Sequence, residues 1–146
     1  MSVPVAIADT SALLAIFNRH DAEHAACRTA RSRIGHLVIS PMVLAELDYL
    51  VITRIGADAA IRVLDHIMEK GDLRRYEVPE VAPHLRVARA LMARYKDLEI
   101  GLTDAMNAAL AAEFRTDAVL TLDREHFRVI RPLTGHACFR LLPDDL

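Results

Sequence analysis

Two short apolar runs that each end on an aspartate constrain this chain most: Val3-Pro4-Val5-Ala6-Ile7-Ala8 before Asp9, and Ala118-Val119-Leu120-Thr121-Leu122 before Asp123. Runs of this length are too short for ordinary helices and too continuous for strands with one wet face, so they read as strands buried on both sides. A third run, 37–39, precedes Ser40-Pro41, a hydroxyl cap followed by a proline at the first helical position. Further extended segments are expected at 73–78, which stops at Pro79, at 127–130 and at 138–142.

The segments between these runs carry the helical period. Helices are expected from Ser11 to Phe17 and over 21–33, the latter with Ala22, Ala25, Ala26 and Cys27 on its apolar face. The helix opened by Pro41 presents Val43, Leu44, Leu47, Leu50 and Val51, and Gly56 stops it. The next, 57–69, turns Ile61, Leu64, Ile67 and Met68 inward and ends at Gly71, and another spans 81–95. A last one opens at Leu102-Thr103-Asp104 with Thr103 as its cap. Buried strands that alternate with helices require parallel crossovers, so the expected fold is α/β, a three-layer α/β/α domain with a central, mostly parallel sheet of four to five strands.

The 146 residues are enough for one domain, taken as 1–146, and too few for two. At 53% hydrophobic and 26% charged, the composition excludes intrinsic disorder. The most apolar stretch, 37–52, is broken by Ser40, Pro41, Glu46, Asp48 and Tyr49, so no membrane span is expected. The N-terminus has no basic region ahead of a long apolar segment, which points to the cytoplasm. Cys27 and Cys138 are isolated thiols, expected as small core residues without a disulfide. A net charge of −2 argues against a protein that coats nucleic acid through a uniform positive field, and leaves a nuclease open.

In open α/β sheets ligands bind beyond the carboxyl ends of the strands. Asp9 and Asp123 stand at two such ends, Asp104 in the first turn of a helix, and Glu46 in the second turn of the helix opened by Pro41. Singly, Asp9 reads equally well as a helix cap, Asp123 equally well as a turn residue, and Asp104 better as an acid favoured by the helix dipole. Glu46 lies among Leu44, Ala45 and Leu47, which argues against a solvated face. Converging, the four carboxylates repel and need a positive partner. The four segments are read as offering only hard oxygen ligands, which selects Mg²⁺, with Mn²⁺ as a substitute, over zinc. Such an ion acidifies a bound water and steadies a phosphoryl oxygen, the chemistry of phosphodiester hydrolysis. Thr10, Ser11 and Asn107 are candidates to orient these ligands, or alternatively structural caps.

Together, Ile7-Ala8-Asp9-Thr10-Ser11-Ala12-Leu13-Leu14, Ser40-Pro41-Met42-Val43-Leu44-Ala45-Glu46-Leu47, Leu102-Thr103-Asp104-Ala105 and Leu120-Thr121-Leu122-Asp123-Arg124-Glu125-His126-Phe127 resemble, in order and over nearly the whole chain, the PIN-domain ribonucleases, and most closely VapC-type toxins. The resemblance implies a Mg²⁺-dependent endoribonuclease that cleaves RNA, often a tRNA or rRNA stem-loop. It also implies a homodimer held inactive by a cognate VapB-like antitoxin. Asp9, Glu46, Asp104 and Asp123 match the family's four acidic positions, with Asp9 and Asp104 as direct metal ligands. Arg124, Arg128 and Arg131 are candidates for RNA phosphate contacts, against a purely solvated role. Asp97 has a family-like setting and no assigned role, and Met106 stands where many relatives carry a small polar residue.

Other classes lack parts. His20-Asp21-Ala22-Glu23-His24 fits a zinc pattern with both histidines on one helix face, but it lacks a third ligand. His126 is expected to be structural. A housekeeping PIN nuclease stays open. A haloacid-dehalogenase-like phosphatase wants an acid where Ser11 stands, and a phospho-acceptor receiver domain wants a lysine where only Arg131 and Arg140 occur.

Overall fold

The computed structural model describes residues 2–146. Five parallel strands form one sheet in the order β3-β2-β1-β4-β5: β1 (Val3–Ala8), β2 (Ile34–Ile39), β3 (Tyr76–Glu77), β4 (Ala118–Leu120) and β5 (Arg140–Leu142). Seven helices cover it among the described residues: α1 (Thr10–Phe17), α2 (His24–Ser32), α3 (Pro41–Arg54), α4 (Ala57–Asp72), α5 (Leu85–Arg94), α6 (Leu102–Glu113) and α7 (Arg124–Phe127).

Successive residues of a strand point to opposite faces, and the core divides accordingly. Ala6, Ala8, Leu37, Ile39 and Leu120 pack beneath α1 to α4, whereas Ile7, Val38, Val119 and Leu141 pack beneath α5 to α7. The result is the expected three-layer α/β/α sandwich. Ser40 caps α3 by accepting from the Met42 backbone N–H at 3.2 Å, ahead of Pro41. Gly56, at φ 141°, provides the left-handed turn from α3 to α4.

Several expectations are corrected. The extended run 73–78 shrinks to Tyr76–Glu77, because α4 continues through Gly71 to Asp72 and the chain reverses only at Arg74, at φ 57°. Pro83 splits 81–95 into a 3-10 turn, Ala82–His84, and α5. Residues 127–130 are not extended, since Arg124–Phe127 coil into α7. Of the expected α4 face only Ile67 is buried, joined by Ala60, while Ile61 and Met68 are each 60% exposed and Leu64 is exposed too. Helix α2 begins only at His24 and buries Cys27 and Ala30, leaving Ala22, Ala25 and Ala26 exposed. Cys138 is exposed, and both thiols are unpaired. Among the described residues no helix is long and apolar enough to cross a membrane.

Candidate active site

Strand order reverses direction at β1: the chain passes from β1 outward to β2 and β3, then returns to add β4 and β5 on the other side. The β1–β4 register pairs Ala8 with Leu120, so the residues just beyond, Asp9 and Thr121, emerge side by side at the switch point. The Asp9 backbone N–H donates to the Leu120 carbonyl at 2.9 Å, which locks that junction.

Asp9 occupies the N-cap position of α1, yet its side chain caps nothing. Instead Asp9 Oδ2 accepts from Ser11 Oγ and from Thr121 Oγ1, both at 2.8 Å. Thr121 Oγ1 also accepts the Asp123 backbone N–H at 2.9 Å, and Ser11 Oγ the Leu122 N–H at 2.9 Å. The two hydroxyls therefore tie the ends of β1 and β4 into one rigid piece. Asp9 is 6% exposed. Burial pushes its carboxyl above the ordinary value, aided by the charge of Asp123, while the hydrogen bonds from Thr121, Ser11 and the Thr10 backbone pull it down less strongly.

Asp104 projects from the first turn of α6, whose cap is Gly101 and not Thr103. Burial raises its carboxyl too; the charges of Asp9 and Asp123 add to the rise, and a hydrogen bond to His126 opposes it. Asp123 carries two duties. Its Oδ1 caps α7 by accepting the Glu125 and His126 N–H groups, each at 3.1 Å, so in place of the simple turn residue that was the alternative it is a helix cap through that oxygen. Its Oδ2 lies 3.2 Å from His126 Nδ1, which also sits 2.8 Å from Asp104 Oδ2.

His126 is the residue that sequence reasoning missed. It was expected to be structural, and the segment carrying Asp123 was expected to supply no nitrogen ligand. The single turn of α7 instead folds it back onto the acids. Burial disfavours its charge, but the bond to Asp104 and the charges of Asp123, Asp104 and Glu125 outweigh that and raise its pKa. The spacing Asp123-x-x-His126, three residues apart beyond a strand end, was the available signal.

Asp9, Glu46, Asp104 and Asp123 line one cleft of about 580 Å³, together with Thr10, Ser11, Asp21 and Arg54. Glu46 does reach it, but from an exposed position shared with Ala45, Asp48 and Tyr49, so its face is solvated, contrary to the expectation. Its apolar neighbours are separated from it by the helical rotation that buries Leu47. Among the described residues the tightest group of metal-capable side chains is Asp104, Asp123 and His126, whose donor atoms lie within 4.8 Å of one another. Asp9 is buried and Asp104 and Asp123 partly so; their mutually repelling carboxylate oxygens suit a hard divalent cation, and His126 adds one nitrogen donor to the group. Thr10 Oγ1 and Asn107 Oδ1 are buried beside them without a hydrogen-bond partner. Of the expected orienting residues, only Ser11 touches an acid through its side chain; Asn107 Nδ2 donates to the Ala8 carbonyl at 3.4 Å, tying α6 to β1. Thr121, not anticipated in that role, has the strongest claim to it.

The arginines expected near the site are largely committed elsewhere. Arg124 forms a fork with Asp144 at 2.5 and 3.0 Å, and Arg128 one with Asp145 at 2.7 and 2.9 Å. Arg131 is exposed and Asp97 lies in a 3-10 turn, and neither lines the cleft. The zinc-like pattern dissolves, because His20 lies in a turn before α2 and His24 Nδ1 meets the Ala15 carbonyl at 2.8 Å.

Residues 6–131 match the family model of the PIN domain. The chain belongs to the PIN-domain family. Ribonuclease VapC26 of Mycobacterium tuberculosis is 43% identical over 131 residues, 88% of this chain and 94% of that protein, which places the chain with the VapC proteins. Two solved structures share the PIN fold. One is M. tuberculosis VapC20, a sarcin–ricin loop cleaving toxin, with a TM-score of 0.72 at 24% identity over 82% of this chain and 90% of that one. The other is VapBC2 from Rickettsia felis, bound to a DNA fragment from its promoter, with a TM-score of 0.65 at 20% identity over 89% and 96% of the two chains. The acids singled out at the strand ends thus lie on a PIN scaffold.

Proposed function

We propose that this PIN domain is a metal-dependent endoribonuclease that hydrolyses RNA phosphodiester bonds and acts as the toxin of a type II toxin–antitoxin pair. The observation that carries this is the meeting of Asp9, Asp104 and Asp123, from β1, α6 and the β4–α7 turn, in one cleft with Glu46 at its margin. Asp9 and Asp104 are the direct ligands of Mg²⁺, or of Mn²⁺ in its place, with Asp123 and Glu46 completing the set. When bound, the ion supplies an acidified water and charge stabilisation at the phosphoryl oxygen. Ser11 and Thr121 orient Asp9 by donating to a single oxygen of its carboxylate. His126 sits 2.8 Å from Asp104 Oδ2 and 3.2 Å from Asp123 Oδ2, so it partly offsets the charge of these two acids and would give up Asp104 Oδ2 if that oxygen were to hold the ion.

The 43% identical relative, Ribonuclease VapC26, supports ribonuclease activity, and VapC20, a sarcin–ricin loop cleaving toxin, supports structured RNA such as tRNA or rRNA as the substrate class. The VapBC2 neighbour supports a VapB-like antitoxin as partner. A basic antitoxin side chain would neutralise the same acids that hold the metal, so inhibition and catalysis compete for one field. A homodimer and a cytoplasmic location complete the proposal.

The test is incubation of the purified protein with labelled RNA, with Mg²⁺ or with EDTA. Metal-dependent cleavage that Asp104→Asn abolishes is expected, together with growth arrest on expression that the same change relieves. Cleavage that persists in EDTA or in the Asp104→Asn variant, or no cleavage of RNA at all, would overturn the proposal.

A further inference from the structure

The acidic cleft is a poor place for a polyanion to land, and the arginines nearest to it in sequence are held by Asp144 and Asp145. A second cleft of about 890 Å³ adjoins it, formed by the end of α1, the turn before α2, α2 itself, and the α3–α4 junction. Its lining includes five arginines, Arg19, Arg28, Arg31, Arg54 and Arg62, and no carboxylate, in a chain whose net charge is −2. Arg31 reaches the Tyr76 hydroxyl at 3.4 Å, while Arg19, Arg28, Arg54 and Arg62 have no carboxylate partner among the described residues. Arg54 lines both clefts, so the basic groove runs directly into the acid cluster. Ile16, Phe17 and Val63 give it an apolar floor, and His66 contributes a buried ring nitrogen without a hydrogen-bond partner.

Unpaired guanidiniums over an apolar floor suit single-stranded nucleic acid, whose phosphates meet the cations while unstacked bases find apolar and aromatic surface. Resting on the nuclease function proposed above, we infer that this second cleft holds the single-stranded RNA that flanks the scissile phosphate, with Arg54 at the passage between the two clefts. The cation field concentrates substrate locally, which explains how an acidic protein can work on RNA without a basic overall charge.

The test is the triple variant Arg19→Ala, Arg28→Ala, Arg62→Ala; all three side chains are exposed, and Arg54 is left intact because it borders the acids. Binding of a fluorescent 20-nucleotide single-stranded RNA is followed by anisotropy in EDTA, so that no metal chemistry enters. The variant should bind at least about 10-fold more weakly at moderate salt, and its slope of log affinity against log salt should fall by about 2, roughly 0.7 for each of three phosphates released. Equal affinity and slope for the two proteins would overturn the inference. So would wild-type protein that ignores the RNA, whether it binds nothing or binds a glutamate-rich peptide that the variant loses; the latter result would hand the cleft to a protein partner. Failure of the nuclease proposal has a separate signature, since that requires Mg²⁺-dependent cleavage by the wild-type protein.

Discussion

Replacing Asp9 by asparagine separates the metal's role from the fold's. The amide oxygen can take the place of Oδ2 and accept the same donors, Ser11 Oγ and Thr121 Oγ1 at 2.8 Å, so the junction of β1 and β4 is kept. The change removes a carboxylate whose ionisation burial disfavours, the burial being reinforced by Asp123. A carboxyl raised in the folded state binds more protons folded than unfolded, so its ionisation lowers stability as pH rises from about 3.8 through the raised folded value. Above that window the metal-free wild type carries the full penalty, and metal-free Asp9→Asn should melt at the same temperature or higher. With metal the order reverses. At a free concentration one hundred times the wild-type Kd, binding stabilises the fold by about 2.7 kcal/mol. For a chain of this size each kcal/mol moves Tm by roughly 4 °C, so a shift of about 10 °C is expected for wild type and little or none for the variant. Cleavage should fall at least about 100-fold, since the lost Lewis acid is worth several kcal/mol. Circular dichroism melts with and without Mn²⁺, beside the RNA assay, measure all of this. A variant that unfolds without metal would show Asp9 to be structural, and one that keeps both the metal shift and the activity would refute its place among the ligands.

Thr121→Val removes the hydroxyl that bridges Asp9 and the Asp123 N–H. It should cost about 1–2 kcal/mol in a denaturant melt and weaken metal affinity in a Mn²⁺ titration. In the metal-free protein the His126 ring should titrate above its ordinary 6.5 by NMR, and Asp104→Asn should bring the midpoint down; an unmoved midpoint would remove Asp104 as its partner. The stability linked to His126 is fully present below the unfolded pKa and is lost as pH rises through the raised folded value. Phe127 is fully buried at the end of α7, edge-on to Phe139 with ring centroids 5.9 Å apart. Phe127→Ala should cost about 3–5 kcal/mol by denaturant melt, because the ring anchors the helix that carries Asp123 and His126.

The strand-end acids were legible because two short apolar runs fix the direction of the residue that follows each, and a parallel sheet brings such ends to one edge. Helix starts marked by a hydroxyl and a proline, as at Ser40-Pro41, were legible for the same local reason. What escaped was set by contacts distant in the chain. Asp144 and Asp145 claim Arg124 and Arg128 from 20 and 17 residues away, which no local pattern records. His126 reaches the acids only because α7 is a single turn capped by Asp123. The inward face of α4 is legible only at Ile67, because the helix packs through a narrow stripe with Ala60 and leaves the larger Ile61, Leu64 and Met68 outside. The basic groove is not legible in the sequence because its arginines come from the α1–α2 turn, α2, α3 and α4 and become neighbours only once these pack.

The most direct measurement is a crystal structure of the protein soaked in Mn²⁺, with anomalous differences collected at the manganese edge. A peak bounded by Asp9, Asp104 and Asp123, with His126 turned away from Asp104, is the expected result. A cleft that stays without a peak at millimolar Mn²⁺ while His126 keeps its bond to Asp104, or a peak at some other group of residues, would contradict a metal centre built from these acids.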